Sequence, residues 1–282
     1  VGAGIYQINM AVDTILVSLV GTGAISWLYY ANRLQQLPLG VVGAAISVAL
    51  LPVLSKALKA GAIEEARQTQ DKAVEYGLLL SLPAAALLIA LAQPIVMFLF
   101  QHGKFTGSDA TMTAYAVMAY AVGLPCYVMT KALMPNFFAR GDTVTPVKYS
   151  AVVFATNFIF NLLLMRFFGH VGIALATTIA AFVSLGQYLH GLKKRGYWQI
   201  SAKLLQKMAK ISLVSVLGGV AAWGANYALI LCWPQYLLHK WSLFIGLAGI
   251  GIFALAILLI FATITSVWDI RTIINLIRKK HG

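Results

Sequence analysis

The sequence predicts an all-α polytopic membrane protein of about eight transmembrane helices, and three observations carry that expectation. Of its 282 residues 60% are hydrophobic and only 10% are charged, with a mean hydropathy of +0.83. An ordinary soluble domain carries roughly 25% charged residues. The apolar residues fall in runs long enough to cross a hydrocarbon core of about 30 Å as helices, which satisfy their own backbone hydrogen bonds where lipid offers none. The basic residues, which set a net charge of +13, are partitioned by side rather than spread evenly. Lipid-facing barrel strands would alternate in polarity over shorter segments, and the sequence has no such alternation.

Taken in order, the runs are 5–28, 34–54, 74–100, 112–134, 147–168, 171–189, 211–231 and 241–265. The first holds Gln7, Asn9, Asp13 and Thr14 and ends in Trp27, Tyr29 and Tyr30, aromatic residues suited to the headgroup level. Arg33 falls at the joint between the first two runs. After the second run, residues 56–72 contain Glu64, Glu65 and Asp71 and read as a solvated connection. The fourth run encloses Lys131 between Pro125 and Pro135, and paired prolyl kinks are typical of helices that line cavities. Asn157 and Asn161 share a face of the fifth run, and Thr177 and Thr178 lie in the sixth. Trp233, Tyr236 and Trp241 surround the joint between the last two. Two further stretches are amphipathic: 202–210, where Leu204, Leu205 and Met208 alternate with Lys203, Lys207 and Lys210, and 270–281, where Ile270, Ile273, Ile274 and Ile277 oppose Arg271 and Arg278. Both are expected along the inner leaflet, near anionic phospholipids.

An even number of spans puts both ends on one side. Sixteen of the 21 Lys and Arg lie on that side, in the segments 56–72, 140–148, 193–210 and 271–280. Arg33, Lys104, Arg166 and Lys240 lie on the other, and Lys131 is inside a span. Since positive charge is retained in the cytoplasm, both ends are expected to be cytoplasmic. The charge is then a topology signal and not a nucleic-acid footprint. Cys126 and Cys232 are too few for a disulfide framework or a zinc cluster. The five His and eight carboxylates show neither metal-ligand nor nucleophile–base spacing, and no Gly-rich phosphate loop marks an ATPase. No enzyme activity is expected. The sequence opens at Val1 with no basic n-region and reads as a segment of something longer.

An ionisable group at mid-membrane costs about 2.5–3.5 kcal/mol on insertion scales, so each one needs a reason. Asp13 either pairs with a neighbouring helix or takes part in an ion or proton site. Arg33 either snorkels to the interface or points a guanidinium, whose planar fork suits phosphate, into a cavity. A cavity-facing role is favoured for Lys131. Asn157, Asn161, Thr177 and Asp13 are hard oxygen donors that either cage sodium or serve as interhelical glue at about 0.6 kcal/mol per bond.

The run Gln7-Ile8-Asn9, Val12-Asp13-Thr14, then 23–34, with Leu37-Pro38-Leu39-Gly40 and 51–55 after it, resembles the second half of the MurJ (MviN) lipid II flippases. The segment Phe137-Phe138-Ala139-Arg140-Gly141-Asp142-Thr143-Val144-Thr145-Pro146-Val147 is similar to the loop of that family between its tenth and eleventh spans. The resemblance implies spans seven to fourteen of a two-lobed MOP-superfamily transporter in the bacterial inner membrane. Residues 1–190 would form the core of the C-terminal lobe, and 191–282 two additional spans with an amphipathic tail. The implied substrate is lipid II, the undecaprenyl-pyrophosphate-linked peptidoglycan precursor, flipped by alternating access and driven by an ion or the membrane potential. Arg33, Lys131, Ser26 and Asn32 match substrate-binding positions. Asp13, Asn157, Asn161, Thr177 and the Ile173 carbonyl match a sodium site of some members, with Na+ or H+ as the coupling ion and no other cofactor. The implied partners are lipid II, anionic phospholipids and an N-terminal lobe. Departures are Asn32, Gln36 and Asn161, where members carry carboxylates. The competing readings are another exporter of the superfamily, for a polysaccharide-linked lipid or a cationic drug, and a non-transporting scaffold or half-lobe.

Overall fold

The computed structural model describes residues 2–237 and 240–264, and among them it contains helices and turns only. In chain order these are α1 (Gly2–Ser18), α2 (Ala24–Pro38), a π-helical turn (Leu39–Gly43), α3 (Ala44–Lys59), α4 (Ile63–Ala90), α5 (Ala92–Phe100), α6 (Gly107–Phe138), α7 (Val144–Lys194), α8 (Ala202–Cys232), a 3-10 turn (Pro234–Leu237) and α9 (Lys240–Ile264).

Helix boundaries follow local chemistry. The first apolar run does not stay helical to Leu28. It breaks after Ser18 and restarts after Gly23, whose φ of 93° is left-handed and open to glycine. Trp27 through Arg33 are therefore early turns of α2, and Arg33 lies within a helix instead of at a joint. The run expected over 74–100 is broken at Leu91. Pro94 has no N–H for the Ala90 carbonyl, and its ring crowds that carbonyl. Thr106 and Asp109 close a capping box at the start of α6, the Asp142 carboxylate accepts from Thr145 N at 2.9 Å at the start of α7, and Ser201 caps α8.

The 51 residues of α7 form two limbs, 144–168 and 170–194, reversed at Gly169 (φ 55°, ψ −132°). Their antiparallel pairing is fixed by Asn157 donating to Thr177 at 3.1 Å and by Tyr149 packed edge-on to Tyr188. Among the described residues, six helices are long and apolar enough to cross a membrane when α2 to α3 and α7 are each taken as one. Counting the limbs of α7 separately and adding α1 gives about eight crossings.

The central helix is α6, which packs on α7, α4, α2, α5 and α3. Its core with α1, α2 and α7 is rich in alanine: Ala24, Ala31, Ala110, Ala114, Ala116 and Ala174 are all buried. Small residues let backbones approach closely where lipid gives no hydrophobic drive to associate. Along the flank α8 packs on α4, and α9 on α8. The stretch 56–72, expected to be a solvated connection, is helical apart from a turn at 60–62: it closes α3 and opens α4. Glu64 and Glu65 are exposed there, but Asp71 accepts from the buried Trp198 indole at 2.6 Å, and Glu75, just beyond the stretch, pairs with Lys207 at 2.7 Å. The amphipathic stretch 202–210 is the first part of α8. That expected at 270–281 lies outside the described residues.

Candidate functional site

Between α1, α2, α6 and the second limb of α7 lies a cavity of about 390 Å³, lined by Asp13, Thr14, Val17, Ile25, Leu28, Tyr29, Asn32, Arg33, Gln36, Tyr120 and Ile173. The polar wall is a single face of α2. Tyr29, Asn32, Arg33 and Gln36 recur at i, i+3, i+4 and i+7, which places them in one stripe. Arg33 donates from Nη2 to the Tyr29 hydroxyl at 3.0 Å and lies 4.9 Å from the centroid of that ring. Gln36 donates to the Asn32 side-chain oxygen. Behind the stripe, Gln35 fixes α2 to α6 by donating to the Tyr120 carbonyl at 3.2 Å. Among the described residues no carboxylate is within ion-pair distance of the Arg33 guanidinium.

The opposite wall contains a chain of hydrogen bonds that begins at Asp13. Asn161 donates to Asp13 Oδ1 at 2.6 Å and to Asn157 Oδ1 at 2.8 Å. Asn157 donates to Thr177 Oγ1 at 3.1 Å, and Thr177 in turn donates to the Ile173 carbonyl at 3.0 Å. All five residues of the expected cation set are thus gathered where α1 meets both limbs of α7. Asn9, one turn before Asp13, donates to its other oxygen at 3.5 Å. Asn161 is fully buried, and its Oδ1 has no donor among the described residues. An orphaned buried oxygen in a native fold calls for an explanation, and a hard cation is one group that would satisfy it. Transition metals lack a comparable set, since no cluster of His, Cys, Asp or Glu occurs among the described residues.

The expected substrate-binding residues are only partly brought together. Arg33 and Asn32 line the cavity, while Ser26 is exposed and outside its lining. Lys131 is also outside the lining. Its methylene stem lies against Gly43 in the π-helical turn, so close that a Cβ on Gly43 would be 2.7 Å from Lys131 Cδ. Gly43 is ten residues beyond Arg33, or about 15 Å along a helix axis. The two cations are therefore separate positions, not one focus. Tyr29 and Gln36 enter the site without having been singled out as members. Their signal is the helical spacing around Arg33, which the assignment of Trp27, Tyr29 and Tyr30 to the headgroup level obscures.

The protein-family model described as lipid II flippase MurJ matches residues 1–264. The probable lipid II flippase MurJ of Vibrio cholerae serotype O1 is 34% identical over 262 residues, covering 92% of this chain and 50% of that relative. A solved structure of lipid II flippase MurJ in an inward closed conformation superposes with a TM-score of 0.75 at 27% identity, over 92% of this chain and 51% of that one. An outward-facing multidrug resistance MATE family transporter of the MOP superfamily shares the fold at a TM-score of 0.59 and 17% identity, over 93% and 62% of the two chains. The chain spans about half the length of the curated relative it matches.

Proposed function

Because the chain belongs to the lipid II flippase MurJ family, we propose that it is the C-terminal lobe of a transporter that moves lipid II from the inner to the outer leaflet of the bacterial cytoplasmic membrane. In this reading residues 1–190 form the cavity-lining core and 191–282 the two additional spans. Both ends face the cytoplasm, and an N-terminal lobe completes the central cavity. The reading is carried by the placement of Arg33, a guanidinium without a carboxylate partner among the described residues, on the wall of a polar cavity inside an apolar bundle. Arg33 is exposed to the cavity, so its guanidinium is open to a ligand, and an anionic group there would complete its charge-assisted hydrogen bonds. The pyrophosphate of an undecaprenyl-linked headgroup has that charge and offers oxygens for bidentate bonding. Asn32 and Gln36 would serve the sugar hydroxyls, and Lys131 would meet the headgroup at a different stage of its passage. Translocation requires no bond to be made or broken, so the residues act by binding and release and not by catalysis.

Asp13, Asn157, Asn161, Thr177 and the Ile173 carbonyl would hold the coupling cation, sodium in preference to a proton. A cation there supplies positive charge that ties α1 to α7. It biases the inward–outward equilibrium only to the extent that it binds one state better than the other. The carbonyls and amides in this set favour sodium, because they are hard donors that do not titrate near neutral pH. Anionic phospholipids would surround the basic cytoplasmic side.

The test is complementation of a flippase-depleted strain by the full-length protein carrying Arg33→Ala or Lys131→Ala, with membrane levels measured in parallel. Loss of complementation at normal membrane level is the expected result. Retained function in both single variants would reject the assignment.

A further inference from the structure

Where the last turn of α7 meets the connection to α8, two adjoining cavities of about 280 Å³ and 510 Å³ open on the surface. His190 and Lys193 line both; Lys194 completes the larger, and Trp198, Gln199 and Ile200 wall the smaller. The wall is firmly placed: Trp198 is 2% exposed and donates its indole N–H to Asp71 at 2.6 Å. Of the acidic side chains at this end, Asp71 is engaged by Trp198, Glu75 by Lys207 and Asp142 by Arg195, and none of them, nor Glu64 or Glu65, lines either cavity. Lysines in a last turn also complement the helix dipole. That role needs no cavity, and it gives no reason for His190 and Gln199 beside it. Moreover, the last-turn carbonyls are already bonded: Arg195 N donates to Gly191 O, Gly196 N to Lys193 O and Tyr197 N to Leu192 O.

One helical face leads away from this basic rim toward mid-membrane. Gly186 and Phe182, at successive steps of four before His190, are both exposed, and nothing is within 4 Å of where a Cβ on Gly186 would stand. The result is a cationic notch at the membrane surface continued by a smooth apolar track, which matches the two halves of a phospholipid. We propose that His190, Lys193 and Lys194, with Gln199, bind the phosphodiester headgroup of an anionic phospholipid of the inner leaflet, with one acyl chain along Gly186 and Phe182. The site is distinct from the Arg33 cavity. It rests on the cytoplasmic orientation proposed above for this end of α7.

The experiment is saturable binding of fluorescent phosphatidylglycerol to the purified full-length protein in detergent micelles, with unlabelled phosphatidylglycerol, phosphatidylcholine or inorganic phosphate as competitors. Lys193→Gln/Lys194→Gln is expected to weaken binding about tenfold or more. Gly186→Leu, which fills the track without changing charge, should weaken it as well. Lys56→Gln/Lys59→Gln, the same charge change elsewhere on that side, should leave binding unchanged. Equal losses in the two lysine pairs would overturn the site, and so would wild-type binding in both Lys193→Gln/Lys194→Gln and Gly186→Leu. Displacement by inorganic phosphate or phosphatidylcholine as effective as by phosphatidylglycerol would overturn the anionic-lipid assignment. Arg33→Ala should bind the lipid normally, so failure of the flippase reading would register in complementation and not here.

Discussion

Asn161 donates a 2.6 Å hydrogen bond to Asp13 across 148 residues of chain, joining the first helix to the hairpin of α7. Replacing Asn161 with Leu would strand the Asp13 carboxylate and the Asn157 oxygen together, at about 1–3 kcal/mol for each buried group left unpaired. The expected outcome is a clear fall in the thermal unfolding midpoint of the purified protein. In the intact protein, sodium chloride should raise that midpoint relative to potassium chloride, because a ligand of the native state stabilises it by mass action. Asp13→Asn should abolish the difference.

Gly172 faces the Leu164 carbonyl across the hairpin, and a Cβ there would overlap backbone atoms, not a movable side chain. Gly172→Ala should therefore force the limbs of α7 apart. A loss of more than about 2 kcal/mol is expected, in the range of strong overpacking. Membrane level and unfolding midpoint should both drop, whereas Gly186→Ala on the open face of the same helix should change neither.

Gly43 is the seat of the Lys131 stem. Gly43→Ala should insert and fold, because the atom in its way belongs to a flexible side chain, but it should displace the Lys131 ammonium and slow transport. The diagnostic is coupling. If Gly43 acts through Lys131, the double variant Gly43→Ala/Lys131→Ala should be no worse than Lys131→Ala alone in a complementation titration.

At the start of α7, partial burial works to raise the Asp142 carboxyl, but the bonds from Thr145 and the charge of Arg195 outweigh it and hold the group below the usual carboxylate range. A carboxyl lowered in the folded state contributes stability that is present above its unfolded value. That stability is lost as pH falls through the folded one. For a partly exposed pair the contribution is about 0.5–1 kcal/mol. Acidification below about pH 4 should then lower the unfolding midpoint more in the wild type than in Asp142→Asn, as followed by thermal scans between neutral and acid pH.

Much of this architecture is legible in the sequence, because membrane spans are written in local composition. The parts that were not legible depend on partners far along the chain. The pairing of Asn157 with Asn161 follows from a spacing of four, but their meeting with Asp13 follows only from the reversal at Gly169. The charge of 56–72 resembles a solvated loop until Trp198, 127 residues downstream, occupies Asp71, and Lys207, 132 residues from its partner, binds Glu75 just beyond the stretch. The position of Arg33 inside a helix is hidden in the sequence because apolar composition does not register the left-handed Gly23 that restarts the helix before it. The division at residue 190 corresponds to no change of composition. It came from the family resemblance.

Transfer of the lipid II headgroup across proteoliposome membranes by the full-length protein, wild type against Arg33→Ala, weighs the flippase reading with the fewest intermediate assumptions. Transfer by the wild type, reduced at least about tenfold in Arg33→Ala, as for loss of a charge-assisted bond worth about 1.5–3 kcal/mol, is the predicted result, with the sodium-dependent unfolding shift unchanged because the Asp13 chain does not involve Arg33. Equal transfer by the two proteins would contradict it.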